Sequence, residues 1–224
     1  MANPYFSNLT EFIYVNRTKD GRSEGDYSVV KNFFKRAKLR DDIFQDLTFF
    51  TKFTVVGDDR PDTVANTVYD DPSLDWVVLL SNNIINVQSE WPLGQAAFNT
   101  YITEKYPDEA TLYSGIHHYE ANEVKTNDGS IIIASGTRVS AGQSVSYFDE
   151  DSSQHVVRTD IASPITNYMF EDQLNEEKRN IFVLKPIYLN ILFDDIDQIM
   201  RNKKGSTQFI SETLMRGDNI RLYD

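Results

Sequence analysis

Pro61 and Pro72 constrain the fold of this 224-residue chain more than any other feature. Each follows an aspartate-containing turn, and proline, with its fixed φ and no backbone N–H, fits a helix best in its first turn. Two short helices in succession are therefore expected. In the first, Val64, Ala65, Val68 and Tyr69 form one apolar stripe. In the second, Leu74, Trp76, Val77, Val78 and Leu80 are apolar nearly all round, so the helix must be enclosed by other elements. Asn82 and Asn83 end it, since asparagine tolerates the left-handed cap conformation. Upstream, Thr48 to Val56 is β-branched and aromatic until Gly57, as a strand would be. With the apolar residues from Ile84 onward, the order reads β-α-α-β.

The flanks are read from period and punctuation. The first residues form an arm carrying Tyr5, Phe6, Phe12, Ile13 and Tyr14, followed by a polar stretch to Gly25. Val30, Phe33, Phe34 and Ala37 recur at helical spacing, with Lys31, Lys35, Arg36 and Lys38 as its solvated face. Trp91-Pro92 opens a third helix, which Pro107 ends. Beyond it the period changes to that of strands. One hairpin is expected from Ile116 to Ala134 around Asn127-Asp128-Gly129, and a second from Tyr168 to Leu184 across Asn175 to Lys178. Residues 142–165 read as a mobile polar loop. Ile187, Leu192, Ile196 and Met200 suit a helix after Pro186, and the apolar tail ends in Leu222 and Tyr223.

The expected class is α+β: a βααβ module with flanking helices, then antiparallel hairpins, with extended terminal arms. Four segments follow: residues 1–47, arm and helix; 48–107, the module and next helix; 108–185, an acidic β region; and 186–224, a C-terminal helix and tail.

Charge narrows the partners. Against 34 acidic residues stand 22 basic ones, a formal net charge of −12. Nucleic acid and anionic membrane surfaces are thereby disfavoured, which leaves protein as the default partner. Residues 107–172 hold eleven acids against Lys125, Arg138 and Arg158, so the middle of the chain is an acidic surface. There is no cysteine, which removes disulfide scaffolds, thiolate zinc sites and cysteine nucleophiles. The first residues lack the basic and apolar regions of a secretory signal, so the expectation is a soluble product without one.

Chemistry-bearing constellations are scarce. His117 and His118, adjacent on an expected strand, should point to opposite faces and cannot then share a metal. His155 has no partner at ligand spacing. Asp149-Glu150-Asp151 and Asp194, Asp195 and Asp197 lack the spacing of a calcium loop and read as solvated turns. Glu120 and Glu123, an odd number apart, should face away from each other, against a shared hydrolytic site. Phosphate loops and nucleophile elbows are absent from the sequence. The expectation is therefore no catalytic residue, no metal site, no cofactor and no small-molecule substrate.

Two resemblances follow from these residues. Asp62-Thr63-Val64-Ala65, Val68-Tyr69, Leu74, Leu79 and Asn82-Asn83 resemble a LysM module, with Pro61 in place of that family's first glycine. In LysM proteins sugar lies between the loops matching Gly57 to Arg60 and Asn83 to Asn86. A longer likeness runs through Arg60-Pro61, Leu74-Asp75-Trp76-Val77-Val78-Leu79, Asn82-Asn83 and Trp91-Pro92-Leu93 to Lys105-Tyr106, with Val30 to Arg36 and Pro4-Tyr5-Phe6 before it. This string resembles the LysM-containing baseplate wedge subunit of contractile-tailed phages. That resemblance implies a structural subunit of the virion tail baseplate, assembled in the host cytoplasm. It would join neighbouring wedge proteins, those of adjacent wedges included, around the central hub. Partner-binding residues would be Tyr5, Phe6, Asp58, Asp59, Arg60, Asn83, Asn86, Trp91, Leu222 and Tyr223. The alternatives are a peptidoglycan-binding module and a tail-associated hydrolase.

Overall fold

The proline signals are realised in the computed structural model, which describes residues 4–15, 26–150, 152–205 and 208–217. In chain order the elements are strands β1 (Glu11–Val15) and β2 (Tyr27–Lys31), helix α1 (Asp41–Gln45), strand β3 (Phe50–Thr54), and helices α2 (Pro61–Tyr69), α3 (Asp75–Ser81), α4 (Val87–Glu90), α5 (Gln95–Lys105) and α6 (Glu109–Tyr113). Strands β4 (Ile116–Ala121), β5 (Val124–Lys125), β6 (Ile131–Ile133), β7 (Arg138–Val139), β8 (Val145–Asp149), β9 (Gln154–Arg158) and β10 (Ala162–Thr166) follow, then α7 (Asn167–Lys178), β11 (Asn180–Leu184), α8 (Leu189–Met200) and β12 (Leu214–Arg216). The class is mixed α and β with small sheets.

The chain divides into two units, one of Met1–Trp91 with Asn180–Asp224 and one of Pro92–Arg179. In the first, Pro61 stands in the first turn of α2, and Asp70 closes the helix in the left-handed region at φ 57°. Asp71 then caps a 3-10 turn begun by Pro72 by accepting the Ser73 N–H at 2.9 Å, and α3 continues from it. Asn83 takes φ 54°, the left-handed role expected of it. The core holds Val64, Ala65, Trp76, Val77 and Val78 from the helices, Phe50 and Val55 around β3, Ile181, Val183 and Leu184 from β11, and Leu192, Ile196 and Met200 from α8.

Strand β3 has its partner in β11, antiparallel, with Phe53 opposite Ile181 and Phe50 opposite Leu184. No strand forms at Ile84 to Val87, where a short helix begins. The tie from α3 to this sheet is Asn82, whose side-chain amide donates to the Phe182 carbonyl and accepts the Phe182 N–H, both at 2.8 Å. Tyr69 adds a hydroxyl donated to the Leu184 carbonyl at 2.9 Å.

The terminal segments, expected as arms, each contribute a strand to one sheet, with a 3-10 turn at Tyr5–Asn8 before β1. β1 pairs antiparallel with β2 and parallel with β12, Phe12 lying opposite both Val30 and Met215. The expected helix from Ser28 is accordingly a strand followed by irregular chain. Its helical spacing was accidental, because the pairing of β2 with β1 satisfies the backbone instead.

In the second unit β4 lies between β10 and β7, while β5–β6 and β8–β9 are separate hairpins. Only the part of the first expected hairpin nearest Asn127 to Gly129 forms as such. The segment read as a loop contains β8, β9 and most of β10, with Val145, Tyr147 and Val156 half-buried. The second expected hairpin is helix α7, joined directly to β11. The two ends of this unit are clamped together. Asn175 of α7 accepts the Leu93 N–H at 2.7 Å and donates to the Leu93 carbonyl at 3.0 Å, and Arg179 donates to that same carbonyl.

Candidate partner-binding surface

A surface of exposed aromatics is built by the N-terminal segment and the chain that leaves β2. The Tyr5 hydroxyl accepts the Ala37 N–H at 3.0 Å, and its ring lies 5.7 Å from that of Trp76. The following residue is thereby turned outward. Phe6 is 58% exposed and meets Phe33 edge-on at 5.7 Å. Phe33 is 69% exposed and Phe34 91%. Asn32, buried, fixes this turn: its side chain accepts the Phe34 N–H at 3.1 Å while its own N–H donates to the Thr10 carbonyl at 2.8 Å.

The next residues pin the display to the body of the unit. The Lys35 ammonium donates to the Met200 carbonyl at 2.9 Å, the Arg201 carbonyl at 3.2 Å and the Asn202 side chain at 2.8 Å, at the C-terminal end of α8 where a cation is favoured. Burial, with the nearby charge of Lys203, lowers its pKa. Between this display and α3 lies a groove of about 630 Å³ lined by Tyr5, Phe6, Phe33, Trp76, Leu79 and Ile85 among others. A second of about 380 Å³ lies on Arg36, Leu39, Phe44 and Leu80.

The remaining candidate residues divide by role. Asp58 and Arg60 are exposed in the loop before α2, with Arg60 Nε 3.3 Å from the Asp62 carboxylate. Asn83 accepts from Arg36 at 3.4 Å. Asn86 accepts the Gln88 N–H at 3.0 Å as the cap of α4. Trp91 is only 6% exposed, and its indole N–H donates to the Asp59 carbonyl at 2.9 Å. It is a strut inside the unit that holds the loop at Asp59, not part of an exposed rim. Leu222 and Tyr223 lie outside the described residues. Sequence reading placed Phe33 and Phe34 on a buried stripe; the turn-forming Asn32 beside them was the available signal.

Two polar groupings in the second unit were not foreseen. Glu171, buried in α7, accepts from Lys105 Nζ at 2.7 Å, from the Tyr106 hydroxyl at 3.0 Å and from the Tyr101 hydroxyl at 3.1 Å. The expectation that His117 and His118 point apart is overturned, because their Nδ1 atoms lie 2.9 Å from each other. The register of β4 against β10 skips His117, with Ile165 opposite His118 and Thr166 opposite Ile116. The extra residue of such a bulge breaks strand alternation, so neighbours can meet. Glu123 pairs with Lys125 at 2.7 Å and Glu120 with His118 at 2.9 Å, so the two glutamates remain apart in role. Among the described residues no cluster of three His, Asp or Glu is placed to hold a metal.

A surface of exposed aromatics on a braced frame is suited to contact with another protein. A family model described as Base plate wedge protein 53 matches residues 11–130, more than half of the chain. The chain belongs to this family. As a base plate wedge protein it is a structural component of a phage tail, present in the virion and assembled with other baseplate proteins. No curated protein matches it. The matched stretch takes in Phe33, Phe34 and the whole course from β3 through α3. Among the described residues no helix is long and apolar enough to cross a membrane.

Proposed function

We propose that this base plate wedge protein joins neighbouring wedge proteins, within and between wedges, during assembly of a contractile-tail baseplate around its hub in the host cytoplasm, and that it performs no catalysis. The observation that carries the reading is the Phe6, Phe33 and Phe34 display. Three large apolar side chains more than half exposed are costly in contact with water, and a frame that holds them outward gains from a partner that covers them. Asp58, Arg60, Asn83 and Asn86 supply polar groups on the same unit for a contact rim. The order β3-α2-α3-β11 supports a LysM-like module used here as a rigid docking body, with residues 92–179 carried between its second helix and its second strand. In this reading the four sequence segments act as two grips and a body, residues 1–47 and 186–224 being the grips.

The test is co-sedimentation of the full chain with the wedge proteins of its own particle. The wild type is expected in the wedge complex, and the double variant Phe33→Ser, Phe34→Ser is expected to be folded but lost from it. A chain that joins wedges equally well with both serines removes the proposed surface.

A peptidoglycan-binding module is the second reading, favoured by the same βααβ order. The side chains of Asn83 and Asn86 are engaged by Arg36 and the α4 cap, which weighs against an open sugar groove. Retention on insoluble peptidoglycan, lost on Asn83→Ala, would favour it.

A further inference from the structure

We propose that His117 and His118 form a bidentate site for a first-row divalent cation of tetragonal preference, Cu²⁺ or Ni²⁺, on β4. The bulge brings two imidazoles that strand geometry would separate into contact, Nδ1 to Nδ1 at 2.9 Å. Nitrogen ligands stand about 2.0–2.1 Å from such a metal, so two of them at right angles lie about 2.9 Å apart. Imidazole nitrogens suit Cu²⁺ and Ni²⁺, which bind such donors more tightly than the earlier first-row divalent ions do.

The surroundings prepare both rings. His118 Nε2 lies 2.9 Å from Glu120 Oε1. A carboxylate accepts only, so Nε2 carries the hydrogen of neutral His118 and Nδ1 presents its lone pair. A histidine whose far nitrogen donates to a carboxylate is the usual outer arrangement of a metal-bound imidazole. His117 is held in place by Phe170 of α7, with ring centroids 3.8 Å apart and planes 10° from parallel. With the His118 Nδ1 lone pair as acceptor, His117 Nδ1–H donates to it when no cation is bound, and a cation would require the His117 hydrogen on Nε2. Arg138 of β7 lies opposite Glu120 and is the nearest positive charge in register. It is outnumbered, since residues 107–172 carry eleven acids and three bases. Water fills the remaining coordination positions.

The experiment is calorimetric titration of CuCl₂ and NiCl₂ into the full chain, with His117→Gln, His118→Gln and His155→Gln as variants and circular dichroism as the folding check. One equivalent is expected to bind, with binding lost in the first two variants, retained in the third, and weakened about tenfold by Glu120→Ala. Selective broadening of the His117 and His118 ring signals by sub-stoichiometric Cu²⁺ in the wild type keeps the question answerable if a variant misfolds. Absence of a binding event, binding that survives His117→Gln, or broadening confined to His155 overturns the site.

Discussion

The side-chain amide of Asn82 pairs with both main-chain groups of Phe182, giving to the carbonyl and receiving from the N–H at 2.8 Å each. It thus serves β11 as one residue of a neighbouring strand would, on the edge that β3 does not cover. Asn82→Ala leaves a half-buried N–H and C=O unmet and is expected to lower stability by about 2 kcal/mol. Asn82→Asp keeps the acceptor but loses the donor, and its unfolding midpoint in urea should fall between wild type and alanine.

Asn175 does the same for the second unit, where it holds Leu93 by both main-chain groups. Asn175→Leu, of similar size, is expected to cost about 2 kcal/mol and to raise hydrogen exchange at the Leu93 amide. Unchanged exchange there would mean that the Asn175 side chain does not protect the Leu93 N–H.

The carboxylate of Glu171 gives stability a pH dependence. Burial raises its pKa, but hydrogen bonds from Lys105, Tyr106 and Tyr101 outweigh that and leave it below the ordinary value. A lowered folded pKa contributes stability that is complete above the unfolded value of about 4.3 and is lost as pH falls through the folded one. Glu171→Gln should therefore be less stable than wild type by about 2 kcal/mol near pH 7, with the difference shrinking in urea titrations at about pH 3.

Gly115 makes a packing prediction. A Cβ there would stand 2.3 Å from the Thr111 carbonyl oxygen and 2.7 Å from Asn167 Nδ2. Gly115→Ala is expected to cost about 1–3 kcal/mol, read as a lower melting temperature, because backbone has to move. Gly142→Ala, with open space around it, is the matched control.

What the sequence revealed was local. Prolines, caps and apolar stripes reported β3, α2, α3, α5 and α8, because each signal acts within a turn or two of the residue that carries it. The partner of β3 was missed because nothing in Ile181 to Leu184 names the strand it meets. Helix α7 was missed for a different reason: its buried positions include Glu171 and Asn175, polar residues that serve a network and a clamp, so the apolar period of a helix is interrupted. The histidine pair depends on one skipped position in a register, which no spacing rule anticipates. The exposed Phe33 and Phe34 matched a helical stripe only because β2 and the turn after it happen to space apolar residues that way.

The pairing of β3 with β11 also sets an order of events during synthesis. Thr54 and Asn180 meet across 126 residues, which takes about ten seconds of translation. The second unit is made within that interval and its Asn175 clasp arrives only shortly before Asn180, so β3 waits with both edges open while that unit is still being completed. In the finished sheet the exposed residues of β3 are Thr51, Lys52 and Thr54. A lysine between threonines is a poor template for a stray strand, so the waiting segment guards itself until its true partner emerges from the ribosome.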